Sequence, residues 1–340
     1  MSEPTYSGLL GKVMSGGGLT QDEARWAFGQ IMDGKWSEPQ TAGVLVALAA
    51  KGESVDEIAG AARAMREHVT PIDNGGADVL DTCGTGGTGL PTFNVSTAAA
   101  LVLAGAGVKV AKHGNRTHTR ASGSADVLEA MGVKLDAEPP VVARCLKEAG
   151  VCFCFAIRCH PAMRHAAPVR KALGVRTIFN VLGPLTNPAG ARRQVMGVYD
   201  GRLTETIANV LAALGAVRAM VVHAEDGLDE LSTVSPTKVS QLAGGRVTTS
   251  TVIAEQFGLR PARMEDLIVD SAAASAGVIR GVLAGTPGAA RDIVILNAAA
   301  GLVVADKAGD MASALPIAER SIDSGSAAGA LDKLVRISNS

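Results

Sequence analysis

Glycine residues crowd one short segment whose backbone could bind an anion. It runs Asp81-Thr-Cys-Gly-Thr-Gly-Gly-Thr-Gly89 and follows the strand-like run Val79-Leu80-Asp81. Glycines let the chain turn sharply and bring several N–H groups close to a ligand. The helix after Asn94-Val-Ser-Thr97 would add the positive end of its dipole, and the hydroxyls of Ser96 and Thr97 could bind phosphate or a metal. A tight strand-to-helix turn with ordinary capping explains the same pattern, and no Walker-type phosphate loop is present.

A second polar segment, Lys112-His-Gly-Asn-Arg116, follows the strand-like run Val108 to Ala111 and precedes Ser122-Gly-Ser124. Two cations, an imidazole, an amide and several hydroxyls in one loop suit a multiply charged phosphate ester. The alternative is a polar surface loop whose side chains only satisfy turns. A second glycine loop at the same sheet edge favours the phosphate site.

The basic segment from His160 to Pro188 reads HPAMRHAAPVRKALGVRTIFNVLGPLTNP. For Arg164 and Lys171 we favour a solvated helix face. Arg170 follows Pro168 and precedes the turn into the GPLTNP loop, so it is a candidate to close over a carboxylate as a bidentate partner.

An acidic turn, Glu225-Asp-Gly-Leu-Asp-Glu230, follows the strand-like run that ends at His223. Mg²⁺ prefers oxygen ligands, keeps several waters and bridges to substrate phosphates. Asp229 and Glu230 are therefore candidate magnesium ligands, whereas for Glu225 and Asp226 we favour an exposed acidic loop.

The cysteines offer a competing interpretation, because Cys152, Cys154, Cys159 and His160 have the residue types of a metal cluster. Cys152 and Cys154 alternate with phenylalanines in a strand, which places both thiols on one face. Buried free cysteine is common, so we assign these residues to core packing.

The elements that must position these residues fall into two parts. Capping boxes at Thr20 to Glu23 and Ser54 to Glu57, and Ser37 before Pro39, predict helices only over residues 1–70. Over 77–340, strand-like runs alternate with helices, which predicts an α/β fold with a mainly parallel central sheet flanked by helices. The smaller all-helical domain would also receive a helical contribution from later in the chain.

Composition narrows the classes of function. The 340 residues have a formal net charge of −1, which argues against a nucleic-acid coat, and no apolar run is long enough to span a membrane. The odd number of cysteines, five, and an N-terminus without a signal-peptide pattern predict a reduced cytoplasmic protein.

Taken together, the segments GTGG, FNVST, KHGNR, SGSAD, HPAMRHAAPVRK, RTIFNVLGPLTNPA and DGLDE resemble, in this order, the anthranilate phosphoribosyltransferases. The resemblance covers nearly the whole chain. It implies a homodimer in the cytoplasm, with small-molecule substrates and no nucleic-acid or membrane partner. The active site would lie between the helical and α/β domains. It would transfer the phosphoribosyl group of phosphoribosyl pyrophosphate to the amine of anthranilate, with Mg²⁺ as cofactor.

The resemblance also implies individual roles. Arg170, His113 and Asn115 would be catalytic residues. Gly84, Asn115 and Arg170 would bind anthranilate. Ser96, Asp229 and Glu230 would bind magnesium. Phosphoribosyl pyrophosphate would contact a larger set, namely Gly84, Gly87, Thr88, Thr92, Asn94, Val95, Ser96, Thr97, Lys112, His113, Gly114, Asn115, Arg116, Thr119, Arg120 and Ser124.

The sequence departs from the family pattern in two loops. Thr88 stands where the family usually has Asp, and Thr117-His-Thr-Arg-Ala121 stands where a serine-rich run with a later basic residue is common. We hypothesise that Arg120 replaces that basic charge one position early.

Two other functions share parts of this pattern. A pyrimidine nucleoside phosphorylase has the same architecture, but the acidic metal turn and Arg170 argue against it. A non-catalytic, nucleic-acid-binding relative would need a basic surface and would have lost Asp229 and Glu230.

Overall fold

The structure is a computed structural model that describes residues 4–117 and 122–340. Within that part of the chain, seven strands form one sheet, and their bounds are β1 Val79–Gly84, β2 Lys109–Gly114, β3 Val151–Phe155, β4 Arg193–Gly197, β5 Arg218–Ala224, β6 Thr237–Ala243 and β7 Arg246–Val252.

The α-helices of the first half are α1 Tyr6–Met14, α2 Gln21–Met32, α3 Glu38–Lys51, α4 Val55–Glu67, α5 Val95–Gly105, α6 Ser124–Ala130, α7 Pro139–Ala149 and α8 Ala156–Cys159. Those of the second half are α9 Ala167–Leu173, α10 Phe179–Leu182, α11 Leu203–Ala213, α12 Ala272–Leu283, α13 Ala289–Val304, α14 Met311–Asp323 and α15 Ser326–Ser338. None of the helices in the described ranges combines the length and apolar character needed to cross a bilayer.

The opening helices begin where the capping residues predict. Thr20 Oγ1 accepts a hydrogen bond from Glu23 N at 3.2 Å, and Glu23 Oε2 accepts one from Thr20 N at 2.8 Å. Ser54 and Glu57 repeat this pairing at the start of α4. Each box satisfies backbone donors that a helix N-terminus would otherwise leave without a partner.

The sheet order is β3-β2-β1-β4-β5-β6-β7, and the first five of these strands are mutually parallel. The chain moves outward from β1 through β2 to β3, then returns to the other side of β1 with β4. This reversal leaves a crevice between the carboxyl ends of β1 and β4, which is where open α/β sheets bind ligands. The predicted fold class is confirmed.

Two apolar cores cover the sheet. One lies under α5, α7, α13 and the later helices and includes Val195 and Val222. The other joins α1 to α4 and α11 with the buried residues of 166–185 and includes Met196 and Val221. Neighbouring strand residues thus belong to different cores, as the alternation of side chains along a strand requires.

The structure adds one strand that the sequence pattern did not predict. β6 pairs antiparallel with β5 over its whole length, from Arg218 opposite Ala243 to Ala224 opposite Thr237, and β7 pairs with β6 in turn. Lys238 and Gln241 interrupt the apolar residues of β6, so its sequence lacks a continuous apolar run such as Val151 to Phe155 in β3.

Candidate active site

The glycine segment and the acidic turn meet at the reversal point of the sheet. Gly84, the last residue of β1, lies opposite Gly197, the last residue of β4. A Cβ atom on Gly84 would lie 2.5 Å from Asp229 Oδ2, and one on Gly197 would overlap the Asp229 backbone. Glycine at both strand ends therefore gives Asp229 room to reach the crevice.

The crevice contains a polar cavity of about 360 Å³. Its lining combines the glycine turn, the start of α5, the end of β2, the start of α6 and the acidic pair, namely Cys83, Gly84, Thr85, Gly86, Gly87, Thr92, Phe93, Asn94, Ser96, Lys112, His113, Gly114, Asn115, Arg116, Thr117, Ser122, Gly123, Ser124, Asp229 and Glu230. Segments that are distant in the sequence thus form one wall of oxygen, N–H and cationic groups.

One end of this cavity pairs carboxylates with a buried cation. Glu230 Oε1 accepts a hydrogen bond from Ser96 N at 3.2 Å, and Asp229 Oδ2 accepts one from Gly86 N at 3.1 Å. Lys112 donates to the carbonyl of Thr82, and to Ser96 Oγ at 3.1 Å. Burial lowers the pKa of Lys112, although the neighbouring carboxylates favour its charged form.

The residues at this end suit a magnesium ion. Ser96, Asp229 and Glu230 offer a hydroxyl and two carboxylates, which are the hard oxygen ligands that Mg²⁺ prefers. In the described part of the chain, no group of three or more His, Cys, Asp or Glu side chains could hold a metal by itself. A site with two carboxylates leaves coordination positions for water and substrate phosphate, so this donor set fits Mg²⁺ better than a metal enclosed by protein ligands.

Asn94, which also lines the polar cavity, connects three segments of the chain. Its Oδ1 accepts hydrogen bonds from Ser122 Oγ at 2.7 Å and from Ser275 Oγ at 2.8 Å, and its Nδ2 donates to Ser122 O at 3.3 Å. The start of α5 is thereby fixed to the loop before α6 and to α12. Asn94 thus helps to fix the shape of the cavity wall.

Arg116 lines the cavity, but its guanidinium is paired with carboxylates of α6. It lies 2.9 Å from Asp126 Oδ1 and 2.8 Å from Glu129 Oε2. These exposed ion pairs fix the orientation of the side chain more than they stabilise the fold. An incoming phosphate would have to compete with both acids for this guanidinium.

A second cavity of about 420 Å³ adjoins the first, and His113 and Asn115 line both. Its remaining wall is largely apolar and consists of Met65, Ala156, Ile157, His160, Pro161, Met163, Arg164, Ala167, Arg170, Phe179 and Gly183. A flat, mostly apolar molecule with one anionic group suits this composition.

Arg170 brings a positive charge to the apolar cavity. It is half-buried, its Cζ lies 5.4 Å from the centre of the Phe179 ring, and burial lowers the pKa of its guanidinium. Across residues 4–117 and 122–340, no carboxylate forms an ion pair with it. A partly buried guanidinium without an acidic partner favours an anionic ligand.

His113 and His160 are in contact, and both line the apolar cavity. Their Nε2 atoms are 3.0 Å apart. Burial is the main reason that the pKa of His113 falls to about 3 and that of His160 to about 4. Both rings are therefore neutral at neutral pH, and one donates its proton to the other.

Several predicted residues lie elsewhere. The side chains of Val95 and Thr97 are buried in α5 rather than in the polar cavity, and Thr97 Oγ1 has no hydrogen-bond partner among the described residues. Thr88 belongs to the glycine segment but does not line the cavity. Thr119 and Arg120, and the hypothesis on the charge of Arg120, fall outside the described residues. Lys112, His113 and Gly114 lie in the last half of β2 rather than in the loop after it.

Sequence reasoning missed a buried carboxylate beneath the site. Asp81 accepts hydrogen bonds from His113 N at 3.0 Å and from Asn187 Nδ2 at 2.7 Å. Burial raises its pKa, while these hydrogen bonds oppose the shift. An acidic residue inside an otherwise apolar strand was the available signal, because a buried carboxylate needs partners.

The cysteines pack into the core, and no metal-binding group of three or more His, Cys, Asp or Glu is found among the described residues. All five are buried and free, and the sulfur atoms of Cys152 and Cys154 lie 3.9 Å apart on one face of β3. Burial raises the pKa of Cys159 to about 12, which keeps it as a thiol. The prediction of core packing is confirmed.

Known proteins match this chain over nearly its whole length. Residues 7–69 match the helical bundle domain of a glycosyl transferase family, and residues 76–328 match its a/b domain. An anthranilate phosphoribosyltransferase of Thioalkalivibrio sulfidiphilus is 52% identical over 317 residues, which are 93% of this chain and 94% of that protein.

Solved structures give the same result. The anthranilate phosphoribosyltransferase of Thermus thermophilus superimposes with a TM-score of 0.92 at 42% identity, over 97% of this chain and 99% of that one. That of Saccharomyces cerevisiae, solved with PRPP (phosphoribosyl pyrophosphate) and Mg, has a TM-score of 0.90 at 27% identity, over 99% of both chains. The chain therefore belongs to the anthranilate phosphoribosyltransferase family.

Proposed function

We propose that this chain transfers the phosphoribosyl group of phosphoribosyl pyrophosphate to the amine of anthranilate, in tryptophan biosynthesis, giving N-(5-phosphoribosyl)anthranilate and pyrophosphate. The single observation that carries the proposal is the pair of adjoining cavities. One is polar and ends at two carboxylates, whereas the other is apolar and contains Arg170. The two reactants differ in the same way, since one is a multiply charged sugar phosphate and the other a flat aromatic acid.

The polar cavity holds the sugar pyrophosphate in this proposal. The backbone of the glycine segment and the start of α5 face the phosphates, and Lys112 adds a buried charge between Ser96 and Thr82. Ser96, Asp229 and Glu230 would hold Mg²⁺, in keeping with the yeast relative that was solved with PRPP and Mg. The bound metal would neutralise the charge of the pyrophosphate as it leaves.

The apolar cavity holds anthranilate. Arg170 binds the carboxylate, and the ring lies among Met163, Ala167 and Phe179. The amine then points toward His113 and Asn115, because these two residues separate the apolar cavity from the polar one. The reacting nitrogen and the ribose carbon thus meet at the boundary between the two cavities.

Catalysis in this site rests on positioning and electrostatics. The amine of anthranilate attacks the ribose carbon as the bond to pyrophosphate breaks, and the amine then loses a proton to the released pyrophosphate or to water. Because His113 is neutral and in contact with His160, its role here is to orient the amine rather than to carry a positive charge. Holding two reactants in the correct geometry lowers the barrier by several kcal/mol, up to about 7–11 kcal/mol in favourable cases.

The wider organisation is also part of the proposal. We assign residues 1–70 to a helical domain, helped by later helices, and 77–340 to the α/β domain. We also propose a homodimer, as the family resemblance implies, and light scattering after gel filtration would test it. Five free, buried thiols support a reducing cytoplasmic location.

A fluorescence assay of anthranilate consumption tests the function directly. With phosphoribosyl pyrophosphate and Mg²⁺ present, the fluorescence of anthranilate should fall, and omission of either should stop the reaction. Phosphorolysis of thymidine or uridine would instead indicate a nucleoside phosphorylase. A salt-dependent shift of DNA or RNA in a gel would favour the nucleic-acid-binding alternative.

A further inference from the structure

Arg176 contacts the glycine segment from outside both cavities. Its Nη2 donates a hydrogen bond to the carbonyl of Gly87 at 2.9 Å, and its Cζ lies 4.2 Å from the centre of the Tyr199 ring. The guanidinium thus stacks on an aromatic ring that follows β4 while it holds the backbone of the glycine loop, which we define as residues 85–91.

The start of this glycine loop has other anchors. Thr85 N donates to Gly197 O at 2.9 Å, and Thr85 Oγ1 accepts from Tyr199 N at 3.0 Å. Gly86 N donates to Asp229 at 3.1 Å. Arg176 extends this series to Gly87, and Tyr199 takes part twice, through its backbone at Thr85 and through its ring beneath Arg176.

The loop needs such support because it is rich in glycine. Gly86, Gly87 and Gly89 have φ angles of 65°, 79° and 76°, which glycine adopts without steric cost. The same freedom makes the loop costly to order when a ligand binds. A brace that orders the loop beforehand removes part of that cost from the binding free energy.

Arg176 also lies close in sequence to Arg170, the residue that we propose binds anthranilate. It follows Arg170 by six positions, in the turn between α9 and α10. The side chain that braces the polar cavity and the side chain that charges the apolar cavity therefore belong to one segment. Arginine suits the bracing position, because its planar guanidinium stacks on a ring and donates a hydrogen bond at once, which lysine does less well.

We propose that Arg176, supported by the ring of Tyr199, is a positioning residue that holds the glycine loop ready for phosphoribosyl pyrophosphate. The inference rests on the proposed function, since it assigns that substrate to the polar cavity. Arg176 does not line the polar cavity that would hold this substrate. Its effect should therefore appear in substrate affinity more than in the chemical step.

The test compares variants at both ends of the stack. Arg176→Ala and Tyr199→Leu should each raise the KM for phosphoribosyl pyrophosphate by about tenfold, because each removes the brace. The KM for anthranilate and kcat should change much less. Tyr199→Phe keeps the ring and should behave like the wild type. Arg320→Ala, an exposed arginine of α14, is the charge-matched control.

The double variant Arg176→Ala/Tyr199→Leu should be no worse than either single variant, since both changes break one contact. The inference would be wrong if the two single effects on KM multiplied in the double variant, or if Arg176→Ala left the KM values unchanged.

Calorimetric binding of phosphoribosyl pyrophosphate with Mg²⁺, without anthranilate, gives a readout that needs no turnover. If the wild type binds the sugar phosphate but forms no product, the proposed function is wrong. The binding affinities of the wild type and the Arg176 variants would then still decide the role of Arg176. Arg176→Gln, with thermal melting as a check of folding, replaces the alanine variant if that variant is unstable.

Discussion

Single residues in the two cavities differ in how their charge is balanced. Lys112 is buried beside oxygen atoms of Thr82 and Ser96, and the carboxylates of Asp229 and Glu230 favour its charged form. Arg170 faces a largely apolar wall and stacks near Phe179. Carboxylates thus already balance the charge of Lys112, whereas among residues 4–117 and 122–340 no carboxylate pairs with Arg170. The carboxylate of the aromatic substrate supplies that anion in the proposed complex.

This difference predicts how Arg170 affects kinetics. Arg170→Ala should raise the KM for anthranilate about 10- to 100-fold, because a hydrogen-bonded charge pair contributes roughly 1.5–3 kcal/mol. The KM for phosphoribosyl pyrophosphate should change little, since Arg170 does not line the polar cavity. Lys171→Ala removes an exposed charge from the neighbouring position and serves as the control. Equal effects on the two KM values would contradict the assignment of Arg170.

Asp229 gives a second prediction, which concerns the metal. Asp229→Asn keeps the size of the side chain and an acceptor for Gly86 N, but removes the negative charge. The Mg²⁺ concentration for half-maximal activity should rise roughly tenfold or more, equivalent to about 1.4 kcal/mol. Glu225→Gln changes an exposed acid of the same turn and should leave the titration unchanged. If Asp229→Asn also leaves it unchanged, Asp229 does not hold the metal.

At the scale of elements, the site depends on how closely two strand ends approach the acidic turn. β1 and β4 both end in glycine, and the turn after β5 crosses over them. Parallel strands place their carboxyl ends at one edge of the sheet, so the loops that follow β1, β2 and β5 come together there. The missing side chains of Gly84 and Gly197 let the acidic turn reach the crevice.

Gly84→Ala tests this close approach. Its Cβ would lie 2.5 Å from Asp229 Oδ2, so the carboxylate must move. A displacement of about 1 Å at a reacting centre can lower activity about 10²-fold, and we expect a fall of that order in kcat/KM together with a weaker response to Mg²⁺.

The control is Gly29→Ala in the middle of α2, where a Cβ atom would meet open space. It should retain activity and gain up to about 1 kcal/mol of stability from helix propensity. A Gly84→Ala enzyme with wild-type kinetics would show that the acidic turn tolerates the added methyl group.

For the whole molecule, the site lies where the two apolar cores meet. His113 lies at the end of β2, and His160 comes from the segment between α8 and α9 whose later residues join the core of α1 to α4. Their contact, with Nε2 atoms 3.0 Å apart, ties the sheet to the helical side of the molecule. Protonation of both rings would place two charges side by side in a buried position.

Global stability should therefore depend on pH. The folded-state pKa values of His113 and His160 lie at about 3 and about 4, below the ordinary value of 6.5. Below pH 6.5 the unfolded chain binds protons that the folded chain does not, so stability is present above that pH and is lost as the pH falls. The slope should approach roughly 1.4 kcal/mol per pH unit for each histidine between pH 6.5 and 5.

Urea unfolding at several pH values would measure this slope. His160→Gln should reduce the slope of unfolding free energy against pH by the contribution of one histidine. His68→Gln is a suitable control. Partial burial lowers the pKa of His68, but hydrogen bonds to Ala64 and Asp33 outweigh it and raise the pKa above its ordinary value. His68 therefore changes the stability only above pH 6.5. Equal slopes in His160→Gln and wild type would show that the histidine pair does not couple folding to pH.

The sequence by itself determined the fold class, the capped helices at the start and the family of the chain. These follow from local rules, since Thr20 and Glu23 are three residues apart and strand-like apolar runs such as Val151 to Phe155 alternate with helical segments. It also singled out Ser96, Asp229, Glu230 and Arg170 by residue type and motif.

Only the tertiary structure decided which side chains share a cavity. His113 and His160 are 47 positions apart, and Asp81 and Asn187 are 106 apart, so no local pattern predicts that they meet. The same is true of Arg176 and Gly87, which are 89 positions apart. Such contacts depend on strand order and on the packing of the helical side against the sheet, and both arise from interactions between distant parts of the chain.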